Sequence, residues 1–144
     1  MALMKWVTRQ NAHVDRIACP WLIKRFIDKD AKFLFVEPSR VVEVAKEQEA
    51  IPFDVPDAEL THHGDKCSFD AIIEKYAIDD TALFELTKIV RGADTSNHHL
   101  TLQSEGLLAI AEGFKRITKT DHENMEKQFY VYDALYEFCK STVR

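Results

Sequence analysis

Glycine is scarce in this chain, with four residues in 144 and none of them clustered. Phosphate cradles need closely spaced glycines so that backbone amides can approach the ligand, so nucleotide-loop readings are excluded. The Gly-x-Ser-x-Gly turn of a serine nucleophile is absent, and so are His-Glu-x-x-His and Cys-x-x-Cys. Cysteine is limited to Cys19, Cys67 and Cys139, an odd and widely spaced set that implies no disulfide framework. Basic residues are outnumbered, 19 Lys and Arg against 24 Asp and Glu, for a formal net charge of −5. Nucleic-acid binding is therefore not expected of this domain, because phosphate contacts need a concentrated basic surface. The Lys24-Arg25 and Lys115-Arg116 pairs read as edges of solvated helix faces. No apolar run approaches the roughly 18 residues of a membrane helix, so no membrane partner is expected. Arg9, Asn11, His13 and Asp15 interrupt the N-terminal region before an apolar signal segment can form. The expected location is cytoplasmic, with reduced thiols.

What is present suffices for a buried core. Apolar residues make up 46% of the chain, and the length is that of one domain, so residues 1–144 read as a single unit. Lys5 to Arg9 is short and rich in strand formers. From Asp15 the positions Ile17, Trp21, Leu22, Ile23, Phe26 and Ile27 follow a helical spacing, with Pro20 implying that the regular helix begins near Cys19 or is irregular before it. Lys32 to Val36 reads as a second strand, and Pro38-Ser39 as the start of a short helix that turns Val41, Val42 and Ala45 inward. Two prolines in Ile51-Pro52-Phe53-Asp54-Val55-Pro56 leave room only for a very short or edge strand, and Glu59 to His62 reads as one more. The second half is helical: Ser68 to Ala77 with Ser68 as cap, a helix opened by Asp79 or Asp80 and stopped by Gly92, Leu102 to Ile117 with Leu107, Ile110, Ala111, Phe114 and Ile117 on one stripe, and a last helix opened by the capping box Thr120-Asp121-His122-Glu123. The fold class that follows is α/β (α+β): a small mixed sheet from the N-terminal half with helices packed around it, and a helix-rich C-terminal half.

Three polar segments can carry chemistry. In His62-His63-Gly64-Asp65-Lys66-Cys67 the imidazoles and the thiol are ligands for zinc, iron or copper, and Gly64 permits a turn. Adjacent strand histidines point to opposite faces, so one of the pair serves a given site. The alternative is that His62 and His63 are exposed loop residues and that Ser68 and Asp70 cap the next helix. In Arg91-Gly92-Ala93-Asp94, Asp94 is a hard ligand or a group that orients a histidine. Arg91 matches an oxyanion with its fork of donors, or else lies near a helix C-terminus for the dipole. In Asp15-Arg16, Asp15 is a helix cap or a ligand, and Arg16 a surface charge or an anion contact. Asn97, His98 and His99 read as surface loop.

Trp6-Val7-Thr8-Arg9, Asp15-Arg16-Ile17-Ala18-Cys19-Pro20-Trp21-Leu22-Ile23, Ile51-Pro52-Phe53-Asp54, His62-His63-Gly64, Cys67-Ser68-Phe69-Asp70 and Ile89-Val90-Arg91-Gly92-Ala93-Asp94 together resemble the C-terminal domain of the ChrB-type chromate-resistance family. So do Arg25-Phe26-Ile27-Asp28, Phe33-Leu34-Phe35-Val36 and Val131-Tyr132-Asp133-Ala134-Leu135-Tyr136, and the resemblance covers nearly the whole chain. It implies a link to chromate resistance or response. The DNA-binding regulatory role of full-length members is not carried over to this domain. The expected function is binding of a metal ion or a tetrahedral oxyanion, with His62, His63 and Asp94 as metal candidates and Asp15, Arg16 and Arg91 as ligand-binding residues. The metal expected is a divalent transition ion, Zn, Fe or Mn, and the partner a small inorganic ligand or that metal. The alternative is a metal- or thiol-dependent enzyme using the same pocket, with Cys67 as the candidate thiol. A third reading is a purely protein-interacting regulator.

Overall fold

The computed structural model describes residues 4–143. Its centre is strand β1 (Lys5–Arg9), whose middle three residues are buried on both faces, as expected of a strand with layers above and below. Strand β2 (Lys32–Val36) pairs with it in register Lys5↔Lys32 to Arg9↔Val36. The two-residue strand β3 (Ile51–Pro52) pairs on the other side. The order is β2-β1-β3 and all three run parallel, simpler than the mixed sheet expected. Pro52 is tolerated because β3 is an edge.

Parallel strands need crossovers. Helix α1 (Val14–Phe26) connects β1 to β2, and α2 (Val41–Gln48) connects β2 to β3. Alternation along β1 separates two cores. Val7 faces a small cluster with Val41, Val44 and Val55. Trp6 faces the large core shared by α1 and the later helices α3 (Ser68–Lys75), α4 (Thr81–Asp94), α5 (Ser104–Ile117) and α6 (Asp121–Thr142). Trp21 lies at the middle of that core, against Phe26, Phe69, Tyr132 and Tyr136. Its indole N–H donates to Asp133 Oδ1 at 2.7 Å, and Arg25 clamps the same carboxylate with bonds of 3.0 Å. The α/β architecture, helix-rich in the second half, is the one the sequence indicates. None of the helices among the described residues is long and apolar enough to cross a membrane.

Several local expectations change. Helix α1 starts at Val14 and runs through Pro20; the missing N–H frees only the Arg16 carbonyl, and burial of nearly the whole helix offsets the loss. Gly92 is not a stop but lies inside α4, where an added Cβ would collide with the Ser104 side chain. It is a close-packing residue for the α4–α5 contact. Residues 59–62 form a loop with a single bridge, Phe53↔Leu60, and no strand. Cys67, not Ser68, is the cap of α3, with Asp70 accepting the Cys67 N–H at 2.9 Å. Thr120 does cap α6, but Glu123 reaches back to the Lys119 N–H. Val42, Ile110 and Ile117 point to solvent.

Candidate metal centre at the carboxyl edge of the sheet

In open α/β sheets, ligands collect in the crevice beyond the carboxyl ends of the strands. Here β1 ends at Arg9, β3 runs into Phe53-Asp54, and α1 begins beside them. Asp54 adopts a left-handed φ of 54°, a conformation that aspartate enters more readily than most residues. Thr8 Oγ1 fixes the turn by donating to the Phe53 carbonyl at 2.7 Å. The loop after residue 60 delivers His62, and the last residue of α4 is Asp94.

These elements bring Asp15, Asp54, His62 and Asp94 together, with one ligand atom from each lying within 4.8 Å of all the others. His62 Nε2 is the focus: 2.8 Å from Asp94 Oδ2, 3.4 Å from Asp54 Oδ1 and 3.5 Å from Asp15 Oδ2. Asp15 and Asp54 are buried, at 1% and 5% exposure, and His62 is half-exposed toward a cleft of about 600 Å³.

Buried carboxylates need partners, and helix N-termini supply them. Asp15, in the first turn of α1, accepts the Ser68 and Phe69 N–H groups of α3 at 2.7 and 3.3 Å. It therefore caps a neighbouring helix and not its own. Asp94 does the same for α1, its Oδ1 accepting the Asp15 N–H at 3.1 Å. Two positive helix ends thus face one point. Asp54 accepts from Ser68 Oγ at 2.8 Å and is approached by Arg9 and Arg16 at 3.3 and 3.6 Å.

The carboxylates differ in consequence. Burial, with Asp94 adding to it, raises the Asp15 carboxyl to about 7. Asp54 is also desolvated, yet the hydrogen bonds of His62 and Ser68 and the charges of Arg16 and Arg9 hold it below its ordinary value. Hydrogen bonds to Asp15, Asp54 and Asp94 push the His62 imidazole up to about 12. The proton on His62 Nε2 sits where three carboxylates demand a cation.

Of the adjacent pair, His62 enters the cluster; His63 is exposed and bonds the Glu59 carbonyl at 2.9 Å, so it is not a ligand there. Arg16 lines the cleft with its Nε buried and unpartnered. Arg91 turns away and clamps Asp70 through Nη2 at 2.5 Å and Nε at 3.2 Å; that ion pair, not an anion in the cleft, satisfies its fork. Cys67 is fully buried, with its thiol against Asp70 Oδ2 at 3.4 Å. Burial raises it well above the ordinary thiol range, so it is a neutral helix cap and not an activated thiolate. Sequence reasoning missed Asp54, and Arg9 and His13, which line the cleft. The available signal for Asp54 was its place just after a very short strand, inside one of the runs that carry the family resemblance.

Residues 6–139 match the family model described as ChrB, C-terminal domain. Protein ChrB of Cupriavidus metallidurans is 34% identical over 138 residues, which cover 95% of this chain and 41% of that protein. The chain thus spans well under half the length of this curated relative. No solved structure matches it. The chain belongs to the family of the ChrB C-terminal domain.

Proposed function

We propose that Asp15, Asp54, His62 and Asp94 bind one divalent transition metal, and that the domain serves chromate resistance or response by presenting this metal to a tetrahedral oxyanion in the cleft. The observation that supports this most strongly is the convergence of three carboxylates on one imidazole nitrogen. Metal–oxygen and metal–nitrogen bonds of about 2.0–2.2 Å span roughly 4 Å across a site, so when a metal replaces the His62 proton the widest pairs need only close a little and the His62–Asp94 pair, at 2.8 Å, open a little. Three hard oxygens and one borderline nitrogen suit Mn²⁺, Fe²⁺ and Zn²⁺ alike. Arg9 and Arg16 on the rim supply positive charge for the anion.

A second reading is enzymatic use of the same pocket. It is favoured by the cleft opening beside the cluster, where a metal-bound water would meet substrate. The thiol form of that reading loses ground, because Cys67 is buried and protonated.

The test is elemental analysis of protein expressed with each metal, followed by calorimetric titration of chelator-treated protein. The expected result is one equivalent bound by the wild type and little by Asp94→Asn. Chromate and sulfate titrations of the metal-loaded and metal-free forms then read the anion step, with binding expected only when metal is present. Protein that takes up none of the three metals refutes the proposal.

A further inference from the structure

Helix α5 buries Ser104, Leu107 and Ala111 and turns its opposite face to solvent. That face is apolar. Leu102, in the turn leading into the helix, is 97% exposed, Ile110 41% and Ile117 72%. Gly106, Ala109 and Gly113 are exposed between them. A Cβ added at Gly106 or Gly113 would meet nothing within 4 Å. No contact among the described residues requires these glycines, yet glycine is the poorest helix former after proline.

The order of these residues is symmetric about the midpoint between Ala109 and Ile110. Leu102 and Ile117 are equidistant from it, and so are Gly106 and Gly113. We infer that this face is the contact surface of a symmetric antiparallel homodimer. A two-fold axis through that midpoint sets Leu102 against the partner's Ile117, Gly106 against the partner's Gly113, and Ala109 against the partner's Ile110. Opposed glycines let the two backbones approach closely, since interaxial distance follows the side chains at the contact.

Charge supplies an independent argument. Glu105 and Arg116 are 11 residues apart, about three helical turns, so they lie on the same flank of the apolar face. An isologous antiparallel pair brings like flanks together. Glu105 then lies level with the partner's Phe114 and two residues from the partner's Arg116, within reach of that long side chain, while Glu112 on the same flank is held by His13 of its own chain; the pair repeats across the axis. Within the chain Glu105 meets the exposed His99 at 3.4 Å. One helix pair is smaller than the standard interface of about 800 Å² per partner, so the dimer is weak and dissociates on dilution.

Sedimentation velocity over a concentration series tests the inference. The wild type is expected to shift from monomer to dimer, and Ile110→Glu, which places two carboxylates at the axis, to remain monomeric. Glu105→Arg and Arg116→Glu are each expected to weaken the dimer, and the double exchange to restore it. All three native cysteines are buried, so Ala109→Cys is expected to cross-link under mild oxidation, unlike Lys115→Cys on another face. A wild type that stays monomeric up to about 1 mM, the weak end of measurable association, overturns the proposal. So does a dimer insensitive to Ile110→Glu, or equal cross-linking by both cysteine variants.

Discussion

Replacing Asp94 with asparagine separates a metal ligand from a simple ion pair, because the two roles predict opposite signs. The substitution is nearly isosteric. The amide oxygen that it introduces can still accept the Asp15 N–H, now bonded at 3.1 Å, so the start of α1 keeps its cap. What disappears is the charge facing His62 at 2.8 Å and the charge that helps raise Asp15. Lifting Asp15 from 3.8 to about 7 corresponds to about 4 kcal/mol against its anion. A carboxyl with a raised folded-state pKa contributes stability that is fully present below the unfolded value and is lost as pH rises toward the folded one. Metal-free wild type therefore loses stability between about pH 4 and pH 7, and Asp94→Asn recovers part of that loss at pH 8. The ion pair sacrificed is half-exposed at His62, where such pairs contribute about 0–1 kcal/mol. Without metal, Asp94→Asn should melt at or above the wild-type temperature.

With metal the order reverses. At a free metal concentration 100 times Kd the wild type gains about 2.7 kcal/mol, or roughly 10 °C in a domain of this size. Loss of a ligand should weaken binding by at least about 100-fold, the upper end of what removing a ligand's supporting partner does. The variant at the same concentration then gains only RT ln 2, about 0.4 kcal/mol. Melting curves of both proteins at pH 8, with chelator or with Mn²⁺, give the four values needed. A variant that keeps the full metal-induced rise would remove Asp94 from the ligand set. A metal-free variant several degrees less stable than wild type would make Asp94 an ionic staple for His62.

Gly92→Ala should destabilise by about 1–3 kcal/mol, since its Cβ would collide with the Ser104 side chain; thermal melting reads the loss, and Ser104→Gly in the same chain should recover most of it. Arg91→Ala leaves the buried Asp70 without its clamp, so urea unfolding should show a loss of about 1.5–3 kcal/mol, while metal uptake stays at the wild-type level. Arg25 and the Trp21 indole hold the Asp133 carboxyl below its ordinary value. Its contribution is present above the unfolded pKa and lost as pH falls through the lower folded one, so Asp133→Asn should flatten the acid limb of stability below about pH 4, followed by fluorescence of the buried Trp21.

The strands and helices could be read from periodicity because hydrophobic alternation is local. Where the reading failed, the cause was tertiary. Gly92 carries the signature of a helix stop, and only the approach of Ser104 shows that it marks a close crossing. Asp15 carries the signature of a cap, but its carboxylate accepts from a helix whose first residue is 53 positions away. His62 and His63 are equivalent in sequence, and the Glu59 carbonyl decides between them by engaging His63. For Asp54 the local signal, its place just after a very short strand, says nothing of a ligand, since its role depends on β3 ending at the same sheet edge as β1.

Asp15, Asp54, His62 and Asp94 come from four separate stretches of chain, so no peptide fragment can hold the cluster. The fold holds it through shared bonds at the start of α3. The Ser68 N–H bonds Asp15 while the Ser68 Oγ bonds Asp54, so one buried residue fixes two carboxylates at once. Asp94 is tied to the Asp15 N–H, which sets a third carboxylate from the same point. Arg9 and Arg16 compensate Asp54, but Asp15 and Asp94 have only hydrogen bonds and the half-exposed His62, and the raised pKa of Asp15 records that shortage of positive charge. A cluster held this rigidly before loading needs little reorganisation to exchange the imidazole proton for a divalent ion. The bonds that place its carboxylates also dock α1, α3 and α4 on one another, so filling the site should protect the amides of Ser68, Phe69 and Asp15 from hydrogen exchange more than those of α5 or the C-terminal turns of α6.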